Sequence, residues 1–166
     1  MSEPFISPNG SPTDASHNST DGATDTPFNA FSILHILESF DLCLKNLDLC
    51  YEHAQTLIHP DQWSSDMGKR LAAQHAVRCN QAYGILKNPE TRAAHMLQLR
   101  GHWPVPDFPD LFAIVLDWYE HGHHPEALDL AMACTAFSTA WSEGNIAAAQ
   151  RAYWWIKVGS KKKPAD

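Results

Sequence analysis

From Phe28 onward the apolar positions of the chain recur with the helical period. Leu47, Cys50, Tyr51, Ala54, Leu57 and Ile58 fall at i, i+3, i+4, i+7, i+10 and i+11, one face of a helix. Ahead of them, Phe31, Ile33, Leu34 and Ile36 predict a short first helix. A second long helix carries Ala72, Ala76, Cys79, Tyr83 and Leu86 and ends near Asn88-Pro89. That pair opens the next helix, with Asn88 as N-cap and Pro89 at the first helical position. This helix is expected to bury Ala93, Met96 and Leu97 and to stop at Gly101. Residues 102–107 hold two prolines and read as a linker. Beyond it, a helix over 109–121 starts at Pro109 and stops at Gly122. Another over 125–143 starts at Pro125 and stops at Gly144, and Asn145 caps a last one ending at Gly159. No stretch alternates with period two, so strands are not expected. The fold class is all-α, an N-terminal helical hairpin unit over 28–101 followed by a short C-terminal three-helix region over 108–158. Both are small, and the second is expected to lean on the first.

The two ends break this pattern. Residues 1–27 are rich in Ser, Thr, Asp, Asn, Pro and Gly, with Met1, Phe5 and Ile6 as large apolar groups. They carry Glu3, Asp14, Asp21 and Asp25 and no base, and read as a disordered acidic tail that cannot offset its ordering entropy by burial. Residues 159–166 form a basic tail around Lys161-Lys162-Lys163. Across 166 residues, 19 acidic against 12 basic side chains give a formal net charge of −7. That balance argues against nucleic acid, whose binding rests on Lys and Arg neutralising phosphates. No apolar run approaches the ~20 residues of a membrane span. The first basic residue is Lys45, so neither a secretory signal nor an Arg-rich transit peptide is read at the start, and a cytoplasmic location is expected. Four cysteines without a CxxC pair do not make a disulfide framework. Cys43 and Cys50 share a helix face and Cys79 and Cys134 fall on apolar stripes, so most of the four are expected to be small buried hydrophobes.

Candidate chemistry is sparse. No glycine-rich phosphate loop, nucleophile elbow or HExxH helix is present. His121-Gly122-His123-His124 sits in a turn between helices, with Glu120 as its one nearby carboxylate, and reads as a solvated loop rather than a metal site. No metal or other cofactor is expected. The loop between the two long helices, however, contains His59-Pro60-Asp61. Proline fixes φ and stops the helix, which leaves an imidazole and a carboxylate at the tip of a helical hairpin. The Asp can there accept a charge-assisted hydrogen bond from a partner's Arg. The alternative is a plain helix C-terminus, with His favoured by the macrodipole and Pro as a stop.

The helix over 109–121 carries two apolar stripes. Leu111, Ile114, Val115 and Trp118 form one, and Phe112, Leu116 and Tyr119 the other, edged by Asp117 and Glu120. Two stripes mean burial on both sides, as at the centre of a three-helix bundle, or an exposed apolar face with a polar rim, as in a protein-binding surface.

With these features in place the chain resembles the J-domain proteins, activators of DnaK-type chaperone ATPases, through its HPD tip. More narrowly it is similar to the HscB family, the J-proteins of iron–sulfur cluster assembly. Phe31-Ser32-Ile33-Leu34 matches the short opening helix, and Phe40-x-Leu42 with Leu47 and Tyr51 the approach to the second. Asn80-Gln81-Ala82-Tyr83-x-x-Leu86 is similar to the family's NQAY string. Asn88-Pro89-x-x-Arg92-Ala93-x-x-x-Leu97-x-x-x-Gly101 resembles a helix that ordinary J-domains lack. The likeness covers roughly residues 28–158. It implies a J-domain over 28–101 that docks on an HscA/DnaK-type ATPase and accelerates hydrolysis, through His59, Pro60, Asp61, Gln62, Lys45, Lys69 and Arg70. It implies that the C-terminal helices hold an IscU-type scaffold. Leu111 to Glu120 match the family's scaffold-contacting helix without a gap, which puts Phe112, Ala113, Leu116, Asp117 and Glu120 at the contact. No covalent chemistry is implied. Three departures stand out. Gln62 occupies a position where the family has Lys or Arg. Residues 44–58 hold Lys45 against Asp48 and Glu52, so electrostatic steering is expected to be weak. The C-terminal region is shorter than the family's, with Tyr153, Trp154 and Trp155 in its last helix. The alternative these departures raise is a J-like interaction module without ATPase stimulation.

Overall fold

Local side-chain chemistry sets the boundaries of most helices. In the computed structural model, which describes residues 28–59, 63–121 and 129–161, the described residues are all-helical. The helices are α1 (Ala30–Ile33), α2 (Leu44–Leu57), α3 (Asp66–Lys87), α4 (Pro89–Leu99), α5 (Pro109–His121), α6 (Leu130–Ser142) and α7 (Ile146–Gly159). Asn29 Oδ1 accepts from the Phe31 and Ser32 amides, Ser65 Oγ from Gly68, Asn88 Oδ1 from Glu90, and Asn145 Oδ1 from Ala148. Each satisfies amides that a helix start leaves without a partner. α4 and α6 end in left-handed glycines, Gly101 at φ 73° and Gly144 at φ 70°. In both, the glycine amide donates to a carbonyl three residues back and the next amide to one five back, the Schellman pattern. α1 ends the same way, with His35 at φ 53° in the glycine position.

One boundary differs from expectation. α6 starts at Leu130, not Pro125, because Asp129 is extended and its Oδ1 takes the Ala131 amide at 2.9 Å. The expected stop at Gly122 and start at Pro125 lie outside the described residues, as do the two tails except for residues 159–161.

α2 and α3 form an antiparallel hairpin fastened by polar side chains. Asn80 Oδ1 accepts from both the Tyr51 hydroxyl (2.8 Å) and Gln55 Nε2 (2.7 Å). Tyr83 stacks on Tyr51 at 4.3 Å between centroids, and its hydroxyl donates to Asp48 at 2.7 Å. α6 and α7 make a second hairpin, which meets the first through α4. Most of the buried residues accordingly form one cluster, from Phe31, Leu34 and Phe40 through Leu47, Leu86, Met96 and Leu97 to Phe137, Tyr153 and Ile156, while Leu111 and Val115 of α5 are buried outside it. The linker lies along α7. Gln150 donates to the His102 carbonyl, Trp103 meets Tyr153 edge-on, and Arg151 sits over the Phe108 ring.

Two ionisable residues of α4 are buried in this core. Arg92 donates from Nη1 to the Leu86 carbonyl at 2.9 Å and lies over the Phe40 ring at 5.0 Å. Thr91 donates to the Ile85 carbonyl. α4 thus supplies the partners for carbonyls in the last turn of α3. His95 Nε2 accepts from the Ala30 amide at 3.0 Å, and its ring lies between Phe28 and Phe31. An imidazole that accepts at Nε2 is neutral. Burial holds its pKa below the ordinary value, against smaller upward pulls from Glu38 and Gln98.

A histidine whose pKa is lower folded than unfolded leaves the unfolded state binding more protons below pH ~6.5, so stability falls as the solution is acidified through that value. Urea unfolding at pH 7.5 and 5.5 is expected to show this loss. His95→Gln, which keeps an acceptor but does not titrate, is expected to reduce it. An identical acid loss in the variant would contradict this account.

Candidate functional site

The site begins at the open end of the α2–α3 hairpin. α2 closes at Leu57, and His59 follows, exposed, before α3 opens at Asp66. Pro60, Asp61 and Gln62 lie outside the described residues. Of the basic side chains expected nearby, Lys69 and Arg70 are exposed on the first turns of α3, next to the tip. Lys45 is exposed too, but it lies at the opposite end of α2. At 1.5 Å per residue, that is about 20 Å along the axis from Leu57. Two of the three bases thus lie at the start of α3, and the third at the far end of α2.

The chain leaves the tip through a tight packing that the sequence reading passed over. A Cβ on Gly68 would stand 2.9 Å from Trp63 Cε3, 3.1 Å from Ser65 Oγ and 3.2 Å from Trp63 Cβ. The Trp63 ring occupies the space a side chain at 68 would need, on the turn whose amide Ser65 caps. The signals were a tryptophan just after the tip and a glycine three residues past a serine cap. The clasp of Asn80 and Tyr83 on α2 was also unread, although both residues were noted as part of a family string.

The second candidate surface is α5. Leu111 and Val115 are buried and Trp118 half-buried, while Phe112 is 62% exposed and Tyr119 74%. Leu116, Ala113, Asp117 and Glu120 are exposed as well. Ile114, grouped by spacing with the inward stripe, is exposed. Among the described residues α5 is thus covered on one side only. It is tied to α7 by the ion pair of Asp110 with Arg151, which holds the Asp110 carboxyl below its usual range. His121 Nδ1 lies 3.0 Å from Asp117 Oδ1 one turn earlier, so that carboxylate has a partner on its own helix.

The discounted features can also be placed. Among the described residues no group of three or more His, Cys, Asp or Glu can hold a metal ion; His123 and His124 lie outside them. No described helix is long and apolar enough to cross a membrane. Cys79 is buried, with its thiol pKa raised by burial, and Cys50 and Cys134 are half-buried. Cys43 is exposed.

No protein-family model matches the chain. Curated relatives do. A "Co-chaperone protein HscB homolog" of Burkholderia cenocepacia is 41% identical over 73 residues, which are 43% of this chain and 42% of the relative. One of Shewanella loihica is 40% identical over 75 residues, 44% of this chain and 43% of the relative. The chain is similar to HscB co-chaperones over this stretch. The match spans less than half the length of these relatives. The fold likeness reaches further. Chaperone HscB from Vibrio cholerae superimposes with a TM-score of 0.65 at 22% identity, covering 80% of this chain and 91% of that one. Human co-chaperone protein HscB gives 0.57 at 21% identity, covering 82% and 81%. The all-helical architecture of this chain is therefore that of HscB structures.

The burial pattern of α5 makes a sharp expectation. Leu116→Ala removes an exposed side chain and should change unfolding free energy by about 0.5 kcal/mol or less. Leu111→Ala, on the same helix but buried, should cost about 2–3 kcal/mol. Chemical unfolding of the two variants checks this. A large loss for Leu116→Ala would place that stripe in the core.

Proposed function

We propose that this protein is a non-enzymatic co-chaperone. It stimulates a DnaK/HscA-type chaperone ATPase through the hairpin tip and brings it an IscU-type iron–sulfur scaffold held on α5. One observation carries the reading: the string His59-Pro60-Asp61 lies in the segment that joins the two helices of an antiparallel hairpin, in a chain about 40% identical, over part of its length, to HscB co-chaperones. The chemistry suits the role. An Asp at a hairpin tip offers a carboxylate to a partner's guanidinium, a bond stronger than a neutral pair. The fastening of Tyr51, Gln55, Asn80 and Tyr83 keeps the two helices from splaying when the tip is engaged. The outward face of α5 combines Phe112 and Leu116 with the rim carboxylates Asp117 and Glu120, the composition of a protein contact. No covalent step occurs on this chain in this reading. The acceptor chemistry belongs to the ATPase, and the cluster is cargo.

Single-turnover ATP hydrolysis by an HscA-type chaperone, with and without this protein and the scaffold, tests the reading. Acceleration is expected. Asp61→Asn should reduce it by on the order of tenfold or more, the worth of one charge-assisted hydrogen bond, with the helical circular dichroism unchanged. His59→Gln should act in the same direction. Absence of acceleration by the unaltered chain, with scaffold binding intact, would leave an interaction module and overturn the ATPase role.

A further inference from the structure

The surroundings of the tip are poorly suited to electrostatic docking. Between residues 52 and 71 the carboxylates of Glu52, Asp61 and Asp66 stand against the cations of Lys69 and Arg70, and Gln62 is neutral. A surface with such a balance has no net attraction for an acidic partner. The described segments that flank residues 60–62 in the chain also carry exposed apolar side chains. Leu57 closes α2 on one side, exposed. On the other side Trp63 is 43% exposed and Met67 69%, and Leu71, one turn beyond Met67 on the same face of α3, is exposed as well. Isolated exposed apolar side chains are ordinary, but four large ones within fifteen residues, at the end of α2 and over the approach and first turns of α3, are the composition of a contact surface. The ring of Trp63 is also held, because it rests where a Cβ of residue 68 would lie, beside the Ser65 cap. A large aromatic held in one orientation loses little conformational freedom on binding, which is what makes an effective interface anchor.

The geometry points to an apolar docking surface for the chaperone ATPase, made of Leu57, Trp63, Met67 and Leu71, with Gly68 as the positioning residue that seats Trp63. This rests on the ATPase-stimulating role proposed above and specifies its partner: the surface that receives this tip presents an apolar patch beside its guanidinium, rather than an acidic field. Trp63 is an anchor that touches the partner. Gly68 acts through Trp63 alone.

The test measures ATPase acceleration by the full-length chain as ionic strength rises from about 0.01 to about 0.1 M, over which the Debye length falls from about 30 to about 10 Å. The concentration giving half-maximal acceleration is expected to change by less than about twofold, since burial of apolar area is little affected by screening. Trp63→Ala and the double variant Met67→Ser, Leu71→Ser are each expected to raise that concentration by roughly tenfold, the effect of losing one interface anchor. Trp63→Phe should restore most of it. Gly68→Ala, which favours the helix by propensity but puts a methyl group into the Trp63 ring, should raise the concentration without loss of helicity. A steep salt dependence, or wild-type behaviour of Trp63→Ala and the double variant, would overturn the apolar surface while leaving the co-chaperone reading standing. Failure of the unaltered chain to accelerate hydrolysis at any salt would instead overturn both.

Discussion

The burial of one guanidinium organises this molecule. Arg92 cannot give up its proton inside a protein, so its charge must be accommodated where it lies. Burial disfavours that charge and lowers its pKa from the ordinary value. The compensation comes from the Leu86 carbonyl at the end of α3 and from the face of Phe40, with Cys134 and Asp41 nearby also favouring the charged form. Nε has no hydrogen-bond partner among the described residues, so the accommodation is incomplete and depends on those contacts being kept. Phe40 in turn packs on Phe137 of α6 at 4.6 Å between centroids. Through one side chain the end of the long hairpin helix, the loop before α2 and the C-terminal hairpin are bound to a common position. A lysine would bring a compact point charge without the planar face that stacks on Phe40. His95, one turn further along α4, does the same for α1 by accepting the Ala30 amide. α4 is thus the strut against which both hairpins are set.

That arrangement decides what each candidate surface can do. The hairpin tip lies beyond the Tyr51, Gln55, Asn80 and Tyr83 contacts, so force applied there is taken by the hairpin as a unit. α5 hangs on the rest of the chain differently. It buries only Leu111 and Val115 deeply and is tied down by Arg151, whose guanidinium meets both Asp110 and Phe108. Exposed ion pairs contribute little to stability, so α5 is held chiefly by its two buried side chains. A helix with one covered side and one apolar, uncovered side has room to adjust to what it binds.

The parts of this structure that were legible in the sequence are those governed by local chemistry. Asn88-Pro89 and Asn145 could be read as caps, and Gly101 and Gly144 as stops, because a side-chain oxygen or a positive φ is required within a few residues of each end. The start of α6 was misread for a related reason. Pro125 is a good first residue, but Asp129 is a better partner for an exposed amide, and spacing alone does not rank the two. Burial of Arg92 and His95 was not legible, since a charged residue on an amphipathic helix ordinarily faces water and only the tertiary position of Leu86, Phe40 and Ala30 reverses that. For α5 the sequence offered two apolar stripes and no way to choose the inward one. The structure chose Leu111 and Val115. The packing of Trp63 on Gly68 was hidden because a glycine near a helix start is usually read as weak helix rather than as space reserved for a ring.

The two surfaces also bear on each other through concentration. With no basic field at the tip, encounter with an ATPase would proceed near the unsteered rate, which lies orders of magnitude below steered association. An apolar anchor acts mainly on dissociation and does not repair a slow encounter. On the proposed reading, a scaffold bound to α5 that carried its own site for the ATPase would present the hairpin end at an effective concentration in the millimolar range. A weak field at that end would then favour the loaded form over the empty one. The structural connection on which such an effect would depend is short: the buried cluster joins the α2–α3 hairpin to α6 and α7, and Arg151 of α7 pairs with Asp110 of α5.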